Sequence, residues 1–197
     1  MSQLLDVITR QMSGEVVNRM SREIGADSGA TEGAIAAALP LLLGSLARNA
    51  QQPDGAESLD RALAKDHDGS LLDNLLSGLT GGSTVAEGGK ILGHMFGGRQ
   101  PAVRHGVGRA SGLQPDQVTK LMAMLAPVVM GALGRMRRQE NLGAADIAGR
   151  LGRERDDMVS GDSALGGLLT NMLDRDGDGS VMDDIGGQLL KGFLRPR

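Results

Sequence analysis

Apolar positions recur at helical spacing through two long stretches of the chain. In one, Val118, Leu121, Met122, Leu125, Val128, Val129, Ala132 and Leu133 follow the i, i+3, i+4, i+7 rhythm of a helix with one buried face. Gln114-Pro115-Asp116 precedes this run and places proline at the first helical position with an acid beside it, a helix start. The other stretch, Ala38-Leu-Pro-Leu-Leu-Leu-Gly-Ser-Leu-Ala-Arg48, has Asp27 upstream as its cap. Pro40 and Pro127 fall mid-helix, where each removes a backbone hydrogen bond and is expected to kink or break the helix. Further helices are expected over 3–12, 14–24, 56–65, 70–79, 90–97, 101–111, 143–152, 164–173 and 182–193. No segment shows the alternation of a strand bounded by hairpin turns.

The two proline helices align with an offset of 87. Pro40, Gly44, Leu46 and Arg48 return as Pro127, Gly131, Leu133 and Arg135. Upstream, Leu5, Val16, Arg22 and Gly25 meet Leu92, Val103, Arg109 and Gly112 without a gap. Nine identities relate 1–48 to 88–135, and five of them fall within 36–48, which favours duplication over chance likeness of two apolar helices. The glycine four residues after each proline leaves room for a close neighbour. The expected organisation is a first helical repeat over 1–84, a second over 85–158 and a C-terminal segment over 159–197. Thr80–Gly89 would be the joint, and Gln51–Gly55 a loop.

Composition narrows the core and the chemistry. With two Phe, no Tyr and no Trp, the interior must be built from aliphatic residues and the 11 Met, which fill irregular gaps. The 31 Gly suit helix ends and close helix approach. The absence of cysteine excludes disulfides, thiolate metal sites and cysteine nucleophiles. A net charge of −3 gives no field that recruits nucleic acid. The first residues lack the basic and apolar regions of a secretory signal. The uncharged runs Gly33–Ala47 and Leu121–Gly134 are short for a membrane span. These features point to a soluble cytoplasmic protein.

The sharpest motif is Asp174-Arg-Asp176-Gly-Asp178-Gly-Ser180-Val-Met-Asp183-Asp184-Ile185. Aspartates at loop positions 1, 3 and 5 with glycine at 6 match the start of an EF-hand loop, in which carboxylates converge on a hard cation. Ser180 would add a carbonyl ligand. Ile185 stands where the closing bidentate Glu belongs, so Asp183 and Asp184 would have to complete the shell. Ca2+ is the expected cation. Asp66-His-Asp68-Gly-Ser70-Leu-Leu-Asp73 parallels this loop but lacks the third acid, since Ala64 stands where Asp174 does. Its Ser-x-x-Asp core reads as a capping box opening an apolar helix.

Other chemistry is thin. His67, His94 and His105 share no metal-ligand spacing, and His94, aligned with Val7, is expected at a buried or half-buried helix position. Gly82…Gly89-Lys90 lacks phosphate-loop spacing, and Ile91 stands where Ser or Thr would hold magnesium. Arg135-Met-Arg137-Arg138 reads as a solvated helix C-terminus. A nucleic-acid face over 135–155 and a hydrolase-type site using Asp66, Asp68 and Asp73 remain as alternatives; the former predicts a contiguous basic surface, the latter raised carboxyl pKa values.

Ala38–Gly44, Ile91-Leu-Gly-His-Met-Phe-Gly-Gly-Arg-Gln100, Leu125–Gly134 and the Asp-rich tail together resemble the bacterial domain-of-unknown-function 937 family, which is related to YidB-like proteins. The resemblance spans nearly the whole chain and implies a multihelical fold, with no activity and no catalytic residues. The expectation is thus an all-α, multihelical, duplicated protein with proline-kinked core helices. It would bind or assemble without catalysis, through a protein partner or self-association. Its C-terminal helix would dock the apolar face Ile185, Leu189, Leu190 and Phe193 once Ca2+ fills the loop.

Overall fold

The computed structural model describes residues 3–12, 14–52, 54–74 and 82–161. These residues form an all-α fold without strands. The elements run α1 (Gln3–Gln11), α2 (Gly14–Ile24), α3 (Ser28–Ala50), α4 (Gly55–Lys65), a 3-10 segment (Ser70–Asn74), α5 (Gly82–Phe96), a 3-10 turn (Gly97–Arg99), α6 (Gln100–Ser111), α7 (Pro115–Glu140) and α8 (Ala144–Gly161). The expected tail loop, with Asp174, Asp176, Asp178, Ser180, Asp183 and Asp184, and the helices over 164–173 and 182–193 lie outside the described residues.

The two proline helices form the centre. α7 is buried continuously from Leu121 to Gly134, and α3 nearly so from Ala37 to Ala47. A helix apolar on all sides needs neighbours on all sides. Thus α3 packs on α2, α4, α5, α6, α7 and α8, while α7 also meets α1, α2, α4, α5, α6 and the Ser70–Asn74 segment. Leu42, Leu121, Leu125, Val128, Val129 and Leu133 are fully enclosed in one shared core.

Local signals set the helix starts. Asp27 Oδ1 accepts hydrogen bonds from Gly29 N at 2.9 Å and Ala30 N at 3.2 Å. At α7 the Gln117 side chain accepts from Gln114 N at 2.9 Å and its amide nitrogen donates to Gly25 O at 2.8 Å, tying this start to the end of α2. Gly25 and Gly112 take left-handed conformations (φ 68° and 76°) just before the two long helices. Asp54 (φ 60°) and Asn141 (φ 52°), the two non-glycine residues with positive φ among the described residues, also stand 87 positions apart.

Several expectations change. Neither long helix breaks: α3 runs through Pro40 and α7 through Pro127. Backbone satisfaction around each proline comes from the surroundings: Ala36, whose carbonyl Pro40 leaves without a partner, is exposed, and Ala123 lies under Gly88 of α5. Of the segment expected as a joint over 80–89, the described part from Gly82 onward is helical, and Gly88 lets α5 lie directly on α7. α8 extends well past residue 152. α3 and α7 continue past the charged residues that bound the uncharged runs (Glu32 and Arg48, Lys120 and Arg135), and by length and composition both are long and apolar enough to cross a membrane. In each, however, most of that window (78% and 83%) is buried against the other helices.

Candidate functional site

A cleft of about 610 Å³ opens between α3, α4 and α5, with α7 behind it. Its walls are fixed by close backbone contacts rather than by side chains alone. A Cβ on Gly88 would overlap the Ala123 carbonyl oxygen and stand 2.6 Å from its carbon, so only glycine lets α5 settle there. Pro127 has no N–H to occupy that oxygen, and the glycine backbone covers it instead. At its far end, α5 is held to α3: Ser45 Oγ donates to Met95 O at 2.6 Å, and Asn49 Nδ2 donates to His94 O and Met95 O at 3.2 Å each. The orphan carbonyls of the α5 C-terminus are thereby satisfied by the neighbouring helix.

α4 enters the cleft through a tight turn. Asp54 adopts the left-handed conformation, and a Cβ on Gly55 would collide with the Asn49 carbonyl. The chain leaving α4 is pinned to α7 as well: Gly134 presents no Cβ to the His67 carbonyl, and Gly69 (φ 93°) lies against Gly131 O and Arg135. Gly131 itself faces Leu72 and Gly69, the close approach expected of the glycine after the proline.

Leu46 from α3, Leu59 and Ala62 from α4, Ile91 and Met95 from α5 and Met130 from α7 give the cleft an apolar interior. Asn49, Asp66, His67, Glu87, Lys90 and His94 add polar groups. His67 Nδ1 stands 3.7 Å from Glu87 Oε1, with the His67 side chain only 10% exposed. This size, with an apolar body and a few convergent polar groups, is that of a small-molecule site.

The residues weighed from sequence fall in different places. His94 is exposed rather than buried, as is Val7, and its exposure is to the open cleft. The expected capping box at Ser70 does not form. Asp68 Oδ1 accepts from Ser70 N at 3.0 Å, while Asp73 pairs with Arg135. The Ser70 N–H is the first cause that holds the Asp68 carboxyl below the ordinary aspartate range; Arg138, 3.4 Å away, adds to it. The basic cluster is therefore not merely solvated. Arg135, Arg137 and Arg138 meet Asp73, Asp60 and Asp68 respectively, and Arg150 and Arg155 meet Glu140 and Asp156. The Asp60 carboxylate raises the already high pKa of Arg137. Gly82–Lys90 lies inside α5, so it forms no phosphate-cradling loop. Among the described residues, no three His, Asp or Glu side chains converge as a metal site.

The cleft itself was not read from the sequence. Its lining comes from four segments, and the one local signal was the spacing of Glu87, Lys90, Ile91, His94 and Met95 along one side of α5.

No curated protein and no solved structure is similar to the chain. The family model of a bacterial protein of unknown function, DUF937, matches residues 6–136, from α1 through most of α7 and including every residue that lines the cleft. The chain therefore belongs to the DUF937 family of bacterial proteins.

Proposed function

We propose that the protein works by binding rather than by catalysis, and that the cleft between α3, α4 and α5 is its binding site. The observation that carries this reading is the cleft: about 610 Å³, apolar inside, with walls held by glycine-to-carbonyl contacts. Pre-formed walls reduce the ordering cost of binding. The carboxylates considered for hydrolysis support the same reading. Asp68 and Asp73 are tied to Arg138 and Arg135, and the Asp68 carboxyl is shifted opposite to the direction a general acid needs. Five of the six arginines over 135–155, which a nucleic-acid face would need, are paired within the protein. Titration with the neutral fluorophore N-phenyl-1-naphthylamine tests the site. The natural chain should bind it with enhanced emission, and Ala62→Trp, which fills the cleft, should abolish the enhancement while unfolding at a similar temperature. Equal binding by both proteins would refute the assignment.

The same reading gives the C-terminal loop a regulatory role. Ca2+ held by Asp174, Asp176, Asp178, Ser180, Asp183 and Asp184 would neutralise the acids and let Ile185, Leu189, Leu190 and Phe193 dock on the body or on a partner. The alternating Asp pattern supports this. The matching starts of α3 and α7 and the paired left-handed residues support two copies of one ancestral unit. Calorimetric titration of Ca2+ into metal-free protein, with size-exclusion chromatography in both states, tests the loop. Absence of heat at millimolar Ca2+ would end the proposal.

A further inference from the structure

The polar groups of the cleft are divided along α5. Glu87 faces His67, and Asp66 belongs to the same end, at the exit of α4. Lys90 lies about 5 Å further along the helix axis and His94 about 10 Å further, from the helical rise. Lys90 is exposed and has no ion-pair partner among the described residues. The arginines of 135–138 on α7, behind the cleft, are by contrast all paired with carboxylates. A helix C-terminus ordinarily repels an anion. Here the His94 and Met95 carbonyls already accept hydrogen bonds from Asn49 and Ser45, so the negative end of α5 is partly neutralised where it meets the cleft.

We infer that the cleft takes an amphiphilic organic anion, a medium-chain monocarboxylate in chemical class, with its carboxylate on Lys90 and His94 and its chain along Leu46, Leu59, Ile91 and Met130. The acid end near Glu87 and Asp66 fixes the orientation, since it would repel the head group. The apolar interior supplies the affinity, and the lysine ammonium with the His94 ring N–H supplies the choice of anion over alcohol. This inference rests on the cleft being the binding site.

Decanoate and decanol serve as probes, each titrated against the full chain by displacement of N-phenyl-1-naphthylamine. Decanoate should compete at least about tenfold more strongly than decanol, the equivalent of about 1.4 kcal/mol. Lys90→Met should remove that preference and leave decanol unchanged, and His94→Gln should reduce it partly. If decanol competes as well as decanoate, or if Lys90→Met leaves the preference intact, the anion assignment is wrong while the cleft remains a binding site. If the fluorophore binds and Ala62→Trp does not affect it, the cleft itself is the wrong site and both readings fall. Thermal unfolding of Lys90→Met at the natural temperature keeps loss of binding distinct from loss of fold.

Discussion

Gly88 of α5 covers the carbonyl of Ala123 in α7, and it does so where Pro127 has removed that carbonyl's helical partner. A proline in mid-helix and a glycine in another helix are thus two halves of one contact. The missing N–H leaves an acceptor, and the missing Cβ lets a Cα–H reach it. Gly88→Ala forces α5 off α7 and should destabilise the protein by about 3 kcal/mol, at the high end for overpacking because the obstacle is backbone. Gly89→Ala is the internal control. A Cβ there meets nothing within 4 Å, and removing glycine from a helix interior should add about 0.5–1 kcal/mol. Urea unfolding of the two variants should therefore give midpoints on opposite sides of the natural chain.

Glu154 couples the last described helix to the first. Its buried Oε1 accepts from Leu4 N at 2.8 Å, at the start of α1. Glu154→Ala leaves buried donors without that acceptor and should cost about 1–3 kcal/mol. Glu154→Gln keeps a carbonyl oxygen in reach and should cost less. Hydrogen exchange of the Leu4 amide, faster in the alanine variant than in the glutamine variant, is the readout.

Asp68 gives a pH-dependent contribution whose sign follows from its lowered pKa. The folded state binds this proton more weakly than the unfolded chain. The stabilisation is therefore full above roughly pH 4, the ordinary aspartate value, and is lost as pH falls through the folded pKa. Asp68→Asn should be less stable than the natural chain at neutral pH, and the difference should shrink below pH 4. A difference that stayed constant down to pH 2 would show that Asp68 contributes through shape alone.

Asp27 caps α3 with hydrogen bonds to Gly29 and Ala30, so Asp27→Ala should lower stability by about 1 kcal/mol. Asp27→Ser should restore most of it, because a hydroxyl oxygen can accept the same bonds. Thermal unfolding of the three proteins gives the comparison.

The helices were largely legible because their signals are local. α2 runs over 14–24 as the periodicity predicts, and Asp27 and Pro115 mark the starts of the long helices. What the sequence hid was set by contacts between segments far apart. The glycine-rich stretch at 80–89 reads as a linker by composition, and only the contact with α7 makes Gly88 a packing residue. Arg135, Arg137 and Arg138 look like a free basic cluster because Asp60, Asp68 and Asp73 come from another part of the chain. The cleft is the extreme case. Leu46, Ala62, His67, Ile91 and Met130 share no motif, and beyond the stripe along α5 no spacing links the separate segments that build the wall. His94 differs from expectation for a related reason: alignment with Val7 carries its helix position, and a valine there invites burial, yet both residues are exposed, His94 to the cleft.

The absence of tryptophan and tyrosine makes the methionine methyl groups natural reporters of the interior. Met95 and Met130 line the cleft, whereas Met20 and Met124 are enclosed elsewhere in the core. Carbon-13 methyl spectra of the full chain, titrated with N-phenyl-1-naphthylamine, test the binding site most directly. Saturable shifts at Met95 and Met130, with Met20 and Met124 unmoved, are the predicted result. Silent Met95 and Met130 resonances while the fluorophore binds would place the site elsewhere and contradict the account.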